Sequence, residues 1–225
     1  MKTILAFDTS TAACSAALMI GDTCISRFEL APRRHTELLL GQVDELLVEA
    51  GTTLTAVDAI AVGYGPGSFM GVRLAVSVAQ GLAYAANRPV VPISSLRALA
   101  QTLADQTAVS SIVAGWDARM QELYWGTYTV DPQGIVQMLG DDRLSKPGEV
   151  AISAERQWCA VGNAWEVYEK ELPQEAFFKR VAKSHADLYP TAVAVAKLGM
   201  YELIAGKEIL PLMLEPLYLR NKVTY

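Results

Sequence analysis

Charge is scarce in this chain. Only 19% of its 225 residues are Asp, Glu, Lys or Arg, against roughly 25% in an average soluble domain. Aromatic residues make up 8%, histidine occurs twice and cysteine three times. The charge present sums to −5 at pH 7. A protein that binds nucleic acid unaided normally shows a basic face. That class is excluded, and any such contact is shared with a more basic partner. The pair Arg33-Arg34 reads as solvated surface.

The two histidines, His35 and His185, exclude more chemistry. A helical H-x-x-x-H metal site built on His35 needs a second histidine one turn on, where Leu39 stands. A Ser-His-Asp hydrolase has only these two bases to draw on. His35 reads as a solvated residue or a hydrogen-bond donor at a helix start. The odd count of cysteines (Cys14, Cys24, Cys159), with no C-x-x-C pair, argues against a zinc site or a disulfide framework. A hairpin turning at Gly21-Asp22 sets Cys24 opposite Met19 and Cys14 opposite Glu29. All three read as buried thiols in a reducing cytoplasm.

Long apolar runs are missing too. A spanning helix needs about 20 mostly apolar residues. The best stretches, 74–86 and 192–205, are shorter and are interrupted by Gln80, Lys197 and Glu202. Asp8 breaks the apolar core that a signal peptide requires. The chain therefore reads as soluble, without a membrane partner. Yet 52% of its residues are hydrophobic. The surplus belongs either to an unusually large core or to a surface that another protein covers.

Residues 2–7 read as a buried strand, followed by strands near 13–19 and 23–30. Pro32 ends this meander. A helix follows over 35–50, stopped by Gly51 as its C′ residue. Its apolar residues cover more than the single stripe a surface helix needs. A strand over 57–63 enters a glycine loop, 63–71, and a helix over 68–86 rich in small residues, which let a neighbouring backbone approach closely. A strand over 90–93 and a helix over 96–104, capped by Ser94 or Ser95, complete the first unit. A second unit starts near residue 107. It has strands over 111–116, 122–130 and 157–161, a helix after Gly162-Asn163-Ala164-Trp165, a long helix over 185–205 and an extended tail over 214–225. The fold class is α/β in two units, 1–106 and 107–225, the second poorer in helices. The last helix and tail are candidates to pack back on the first unit.

Three places could carry chemistry. Asp8, Thr9 and Ser10 follow a buried strand. They suit either a phosphate-holding turn with magnesium on the aspartate, or a turn satisfying its own backbone. The loop with Gly65, Gly67 and Ser68 lies between strand and helix, where open N–H groups favour an anion. Its glycines serve equally for a tight turn and close packing. It is neither a Walker P-loop nor a G-x-S-x-G elbow. Asp117-Ala118-Arg119 with Glu122 reads as a cleft lining or as a surface turn held by an Asp–Arg pair.

Five segments taken in order carry a resemblance over essentially the whole chain. They are Ile4-Leu5-Ala6-Phe7-Asp8-Thr9-Ser10-Thr11, Gly65-Pro66-Gly67-Ser68-Phe69-Met70-Gly71-Val72-Arg73, Pro92-Ile93-Ser94-Ser95-Leu96, Asp117-Ala118-Arg119-Met120-Gln121-Glu122-Leu123-Tyr124-Trp125-Gly126 and Pro216-Leu217-Tyr218-Leu219-Arg220. Together they resemble the TsaB, or YeaZ, family, also grouped with the glycoprotease-like M22 peptidase homologues. The resemblance implies two ribonuclease-H-like units of the actin-like, sugar-kinase and Hsp70 ATPase superfold. It implies a scaffold with no catalytic and no metal residue, paired with its paralogue TsaD and supporting the ATPase TsaE. That complex transfers threonylcarbamoyl to the adenosine beside a tRNA anticodon, and tRNA is met only through it. No cofactor is implied for this subunit; ATP or ADP with magnesium belongs at the boundary of the complex. The implied pairing surface maps onto His35, Leu38, Leu39, Gln42, Val43 and Leu46 in one helix. In the other it maps onto Met70, Arg73, Leu74, Ser77, Val78 and Gly81. Such a patch, left bare, favours a weak homodimer. The rival expectations are a self-sufficient ATPase or phosphotransferase resting on Asp8 and the glycine loop, and, more remotely, a peptidase.

Overall fold

The computed structural model describes residues 1–220; the last five residues of the expected tail lie outside the described residues. The chain divides into two compact units. Unit 1 is Met1–Ala98 with Pro190–Leu217, and unit 2 is Leu99–Tyr189 with the described residues from Tyr218 onward.

Unit 1 is built on five strands: β1 (Thr3–Asp8), β2 (Ala13–Ile20), β3 (Thr23–Leu30), β4 (Ala59–Gly63) and β5 (Val90–Ile93). Their order is β3-β2-β1-β4-β5. The first three pair antiparallel, and β4 and β5 continue parallel. The hairpin register is the expected one, with Cys14 opposite Glu29 and Cys24 opposite Met19. Ile4–Phe7 of β1 and Ala59–Val62 of β4 are all apolar and buried because both sheet faces are covered. Leu5, Phe7, Ile60 and Val62 pack with Leu39, Val43 and Leu46 of α1 (His35–Glu49) and with Ala75, Val76 and Ala79 of α2 (Phe69–Ala86). Side chains alternate along a strand, so Ile4 and Ala61 point the other way. There Gly199 of the last helix lies so close to both that a Cβ would collide with them.

Local sequence sets the helix ends. Gly51, at φ +61°, closes α1: its N–H donates to Val48 O and that of Thr52 to Leu47 O, each at 3.0 Å. Ser68 caps α2, accepting from Gly71 N at 3.4 Å, and Asn87 ends it in the left-handed region at φ 53°. Ser94, rather than Ser95, caps α3 (Ser95–Ala104), accepting from Arg97 N at 3.1 Å.

Unit 2 holds β6 (Ser111–Asp117), β7 (Leu123–Val130), β8 (Val136–Met138), β9 (Arg143–Ser145), β10 (Trp158–Val161) and β11 (Val181–His185). The order is β11-β10-β6-β7-β8, with β9 on β7 as well. Its helices α4 (Ala164–Val167) and α5 (Gln174–Phe178) are short. Trp158, Trp165 and Phe177 fill its core, with Trp165 and Phe177 stacked at 4.9 Å between centroids.

Four expectations need correction. The units divide at Ala98–Leu99, inside α3, rather than at 106–107; residues 190–217 lie in unit 1, the placement for which the last helix is a candidate, while the described tail from Tyr218 lies in unit 2. The helix expected over 185–205 is α6 (Ala192–Ile204), preceded by the unexpected strand β11. Pro190 resists the helical region in the residue before it, and Thr191 starts a new helix by accepting from Ala194 N at 3.3 Å. Cys24 is half-buried rather than buried. Finally, α2 starts at Phe69 and reaches 18 residues, so by length and composition it is apolar enough to cross a membrane. In the fold it packs against β4.

Candidate functional site

Asp8 sits at the end of β1, where the buried strand runs out, and is 1% exposed. Its Oδ1 accepts from Ser10 N at 2.8 Å and Ser10 Oγ at 2.7 Å, and its Oδ2 from Ser95 Oγ at 2.8 Å. Burial raises the carboxyl's pKa, against the lowering effect of the Ser10 and Ser95 hydrogen bonds and of His35. Thr9 Oγ1 donates to Gly71 O at 2.7 Å. The glycine loop closes over this turn: Ser68 N donates to Ser10 O at 2.6 Å, and Ser95 N to Gly65 O at 2.8 Å. A Cβ on Gly67 would lie 2.5 Å from Ser10 O, and one on Gly63 or Gly71 would strike Asp8 or Thr9. His35 Nε2 donates to Thr11 O at 3.0 Å, so this histidine holds the turn from the start of α1.

The structure therefore brings Asp8, Thr9, Ser10, Gly65, Gly67 and Ser68 together, but not as an open phosphate cradle. The hydroxyls and the carboxylate are spent on one another and on the loop. Asp8, at 1% exposure, is closed to solvent in this arrangement. The glycines are needed for close approach, one of the two readings left open by the sequence. Gly63 and Gly71, the two ends of the glycine loop, and Ser95, which the sequence offers only as a helix cap, complete the cluster. Only their fold-level neighbours reveal that role, since Ser95 lies 87 residues from Asp8.

The two helices of the expected pairing surface separate by face. Leu39, at 1% exposure, Val43 and Leu46 lie in the core of unit 1. Gln42 is buried beside Cys14, whose thiol donates to its Oε1 at 3.6 Å. These four cannot meet a partner, because they are on the stripe of α1 that covers the sheet. His35 and Leu38 are half-buried. The exposed residues of α1 are Thr36, Glu37, Leu40, Gly41, Asp44, Glu45, Val48 and Glu49, of which none but Leu40 and Val48 is large and apolar. On α2 the expected residues hold the outer surface: Met70 is 71% exposed, Arg73, Ser77 and Gly81 are exposed, and Leu74 and Val78 are half-buried. Phe69 and Tyr84, the latter 74% exposed, extend this face, and Arg73 lies over the Phe69 ring at 3.5 Å. A Cβ on Gly41 or Gly81 would meet nothing within 4 Å. A mid-helix glycine costs about 1 kcal/mol relative to alanine, and no contact inside the chain requires either one.

In unit 2, Asp117 ends β6 as Asp8 ends β1. Its Oδ1 accepts from Arg119 N at 2.8 Å and from Tyr168 Oη at 2.7 Å. Burial, then Asp117 itself, pushes the Tyr168 phenol up to about 12. Arg119 Nη1 lies 3.2 Å from Asp117 Oδ2. This is the surface turn with an Asp–Arg pair. Arg220 clasps it from the tail, donating to Glu122 Oε2 at 2.6 Å and to Ala118 O at 3.1 Å.

Two sheets of the same order, each opening on an antiparallel meander, make this a protein of two ribonuclease-H-like α/β units in the actin-like, sugar-kinase and Hsp70 ATPase superfold. Residues 28–209 match the family model described as TsaD, tRNA N6-adenosine threonylcarbamoyltransferase. The chain is 36% identical to the tRNA threonylcarbamoyladenosine biosynthesis protein TsaB of Escherichia coli, over 99% of this chain and 96% of that protein. To the protein of the same name from Haemophilus influenzae it is 37% identical, over 99% and 95%. The solved structure of YeaZ from Pseudomonas aeruginosa superposes with a TM-score of 0.91 at 40% identity, covering 97% of this chain and all of that one. The chain belongs to the TsaB (YeaZ) family, within the wider group that the TsaD model describes.

Proposed function

We propose that the chain is a non-catalytic, cytoplasmic subunit of the machinery that makes threonylcarbamoyladenosine in tRNA. It acts by pairing with a TsaD-type paralogue through the outer face of α2 and the adjoining exposed residues of α1. The observation that carries this reading is the bare apolar face around Met70, Ser77 and Tyr84, with Gly41 and Gly81 kept open for close approach by another backbone. The sealed turn at Asp8 supports a scaffold rather than a self-sufficient ATPase. In this reading the subunit requires no cofactor; ATP or ADP with magnesium, TsaE and tRNA are met by the assembled complex.

The test is assembly with a TsaD-type paralogue, followed by ultracentrifugation, and reconstituted tRNA modification with and without this chain. A stable pair and loss of modification on omission are expected. An uncompensated charge in a dry interface costs about 3–5 kcal/mol. Met70→Glu and Ser77→Glu should therefore abolish pairing while the isolated chain melts as before. No pairing by the folded wild-type protein would overturn the reading.

A further inference from the structure

The turn between β6 and β7 has a costly backbone. Arg119, Met120 and Gln121 follow one another at φ 61°, 56° and 59°. Among the described residues, the other non-glycine residues in the left-handed region, Arg33 and Asn87, stand singly. That region sets a Cβ against the following carbonyl oxygen, a penalty that only glycine escapes. Here three residues with long side chains bear it in succession. Burial does not compensate, because all three are exposed.

Hydrogen bonds of two kinds hold the turn. The local kind closes it on itself: Arg119 N donates to Asp117 Oδ1 at 2.8 Å, Glu122 N to Arg119 O at 3.1 Å and Ala118 N to Glu122 O at 3.0 Å. The other kind comes from the far end of the chain. Arg220 Nη2 donates to Ala118 O at 3.1 Å, to Arg119 O at 3.3 Å and to Glu122 Oε2 at 2.6 Å. Its Nε donates to the same carboxylate oxygen at 3.1 Å, and its Nη1 to Met120 Sδ at 3.4 Å. One guanidinium thus spans the turn from Ala118 to Glu122, which its fork of donors permits and a lysine ammonium does not. The turn in turn covers an acid. Arg119 reaches both oxygens of Asp117, through its N–H and through Nη1 at 3.2 Å, and the Asp117 side chain is 8% exposed. The Arg220 side chain is 18% exposed, so the clasp lies at the surface, where a competing group can reach it.

We propose that Arg220 is a strap that switches the β6–β7 turn between two states. Strapped, the turn stays left-handed and Arg119 keeps Asp117 covered. Unstrapped, the three residues relax into the regions open to ordinary side chains, Arg119 leaves, and Asp117 with its partner Tyr168 meets solvent. Any group that takes Arg220 in preference to Glu122 shifts the balance toward the open state, by as much as that preference. The device lies wholly within unit 2 and does not rest on the pairing reading.

Trypsin reports on the open state, because it cleaves after Arg119 only when the turn can extend into its active site. Cleavage after Lys179, exposed in the same unit, is the internal reference. The full-length native protein is digested briefly and the fragments are quantified by mass spectrometry. Arg220→Ala should raise the ratio of cleavage at Arg119 to cleavage at Lys179 about tenfold. Adding Gln121→Gly to Arg220→Ala should bring the ratio back toward the wild-type value, because glycine holds the left-handed conformation without a strap. An arginine that merely stabilised unit 2 as a whole would let both sites be cut faster together, leaving the ratio where it was. A ratio unchanged in Arg220→Ala, or one that Gln121→Gly fails to restore, would overturn the proposal.

Discussion

The two units share one plan and use it differently. In each, the first strand pairs antiparallel with the second and parallel with a later one, β4 in unit 1 and β10 in unit 2, and the turn after the first strand opens on an aspartate. Asp8 accepts from the backbone N–H two residues on, and so does Asp117, both at 2.8 Å. The same local device meets opposite surroundings. A glycine loop seals Asp8 among hydroxyls, whereas Asp117 keeps a tyrosine, an exposed arginine and a clasp from the tail. The coverings differ as well: 15-, 18- and 13-residue helices sheathe the sheet of unit 1, while unit 2 has helices of four and five residues after β10. One topology thus supports a rigid, doubly covered sheet and a more lightly covered one.

That contrast can be broken most severely at α1. Leu39→Glu places a charge in the core of unit 1 and should cost about 4–5 kcal/mol, unfolding unit 1 instead of merely separating partners. Thermal melts followed by circular dichroism would distinguish it from Met70→Glu, which should leave the melt unchanged. The tail clasp of unit 2 comes next. Arg220→Ala removes bonds to a half-buried carboxylate and to two carbonyls, and should cost about 1–2 kcal/mol in urea unfolding. Proteolysis at Arg119 should quicken with it.

The buried acid gives a smaller effect that depends on pH. Burial raises the folded-state pKa of Asp8 above its ordinary 3.8. A raised value contributes stability below the unfolded pKa, and that contribution is lost as pH rises through the folded one. Asp8→Asn cannot titrate. Its stability relative to wild type should therefore improve steadily as pH rises across that window. A difference that stays flat from acid to neutral pH would show an ordinary carboxyl. The smallest change is at the open helix face. Gly81→Ala and Gly41→Ala should each stabilise the isolated protein by about 0.5–1 kcal/mol while weakening partner binding, opposite signs that separate a docking surface from inert surface.

Much of unit 1 was legible because its signals are local. Apolar runs, Gly51 as a helix stop, Ser94 as one of two cap candidates and Gly21-Asp22 as a turn each act within a few residues. Unit 2 was less legible. The strands β8 and β9 have three residues each, too few for a period to show, and β11 reads Val-Ala-Lys-Ser-His with little apolar content because it lies at the sheet edge. The candidate turn was found, but its sealing was not, since Ser95 and Gly71 reach it only through the fold. The faces of α1 were unreadable for a related reason: a helix with apolar residues nearly all round gives no indication of which stripe meets its own sheet.

One packing arrangement has a bearing on how the protein is made. The sheet of unit 1 is complete when β5 ends at Ile93, but the helix that covers its second face begins only at Ala192. All of β6 through β11 emerges in between. Throughout that interval a growing chain holds one apolar side of a finished sheet open, with Ile4 and Ala61 bare and Ser15 Oγ waiting for the N–H of Ala192 that it will accept at 2.9 Å. Translation that stops before α6 leaves this face with nothing to close it, so an incomplete chain is sticky by construction, and the last helix serves as the latch that marks a finished molecule.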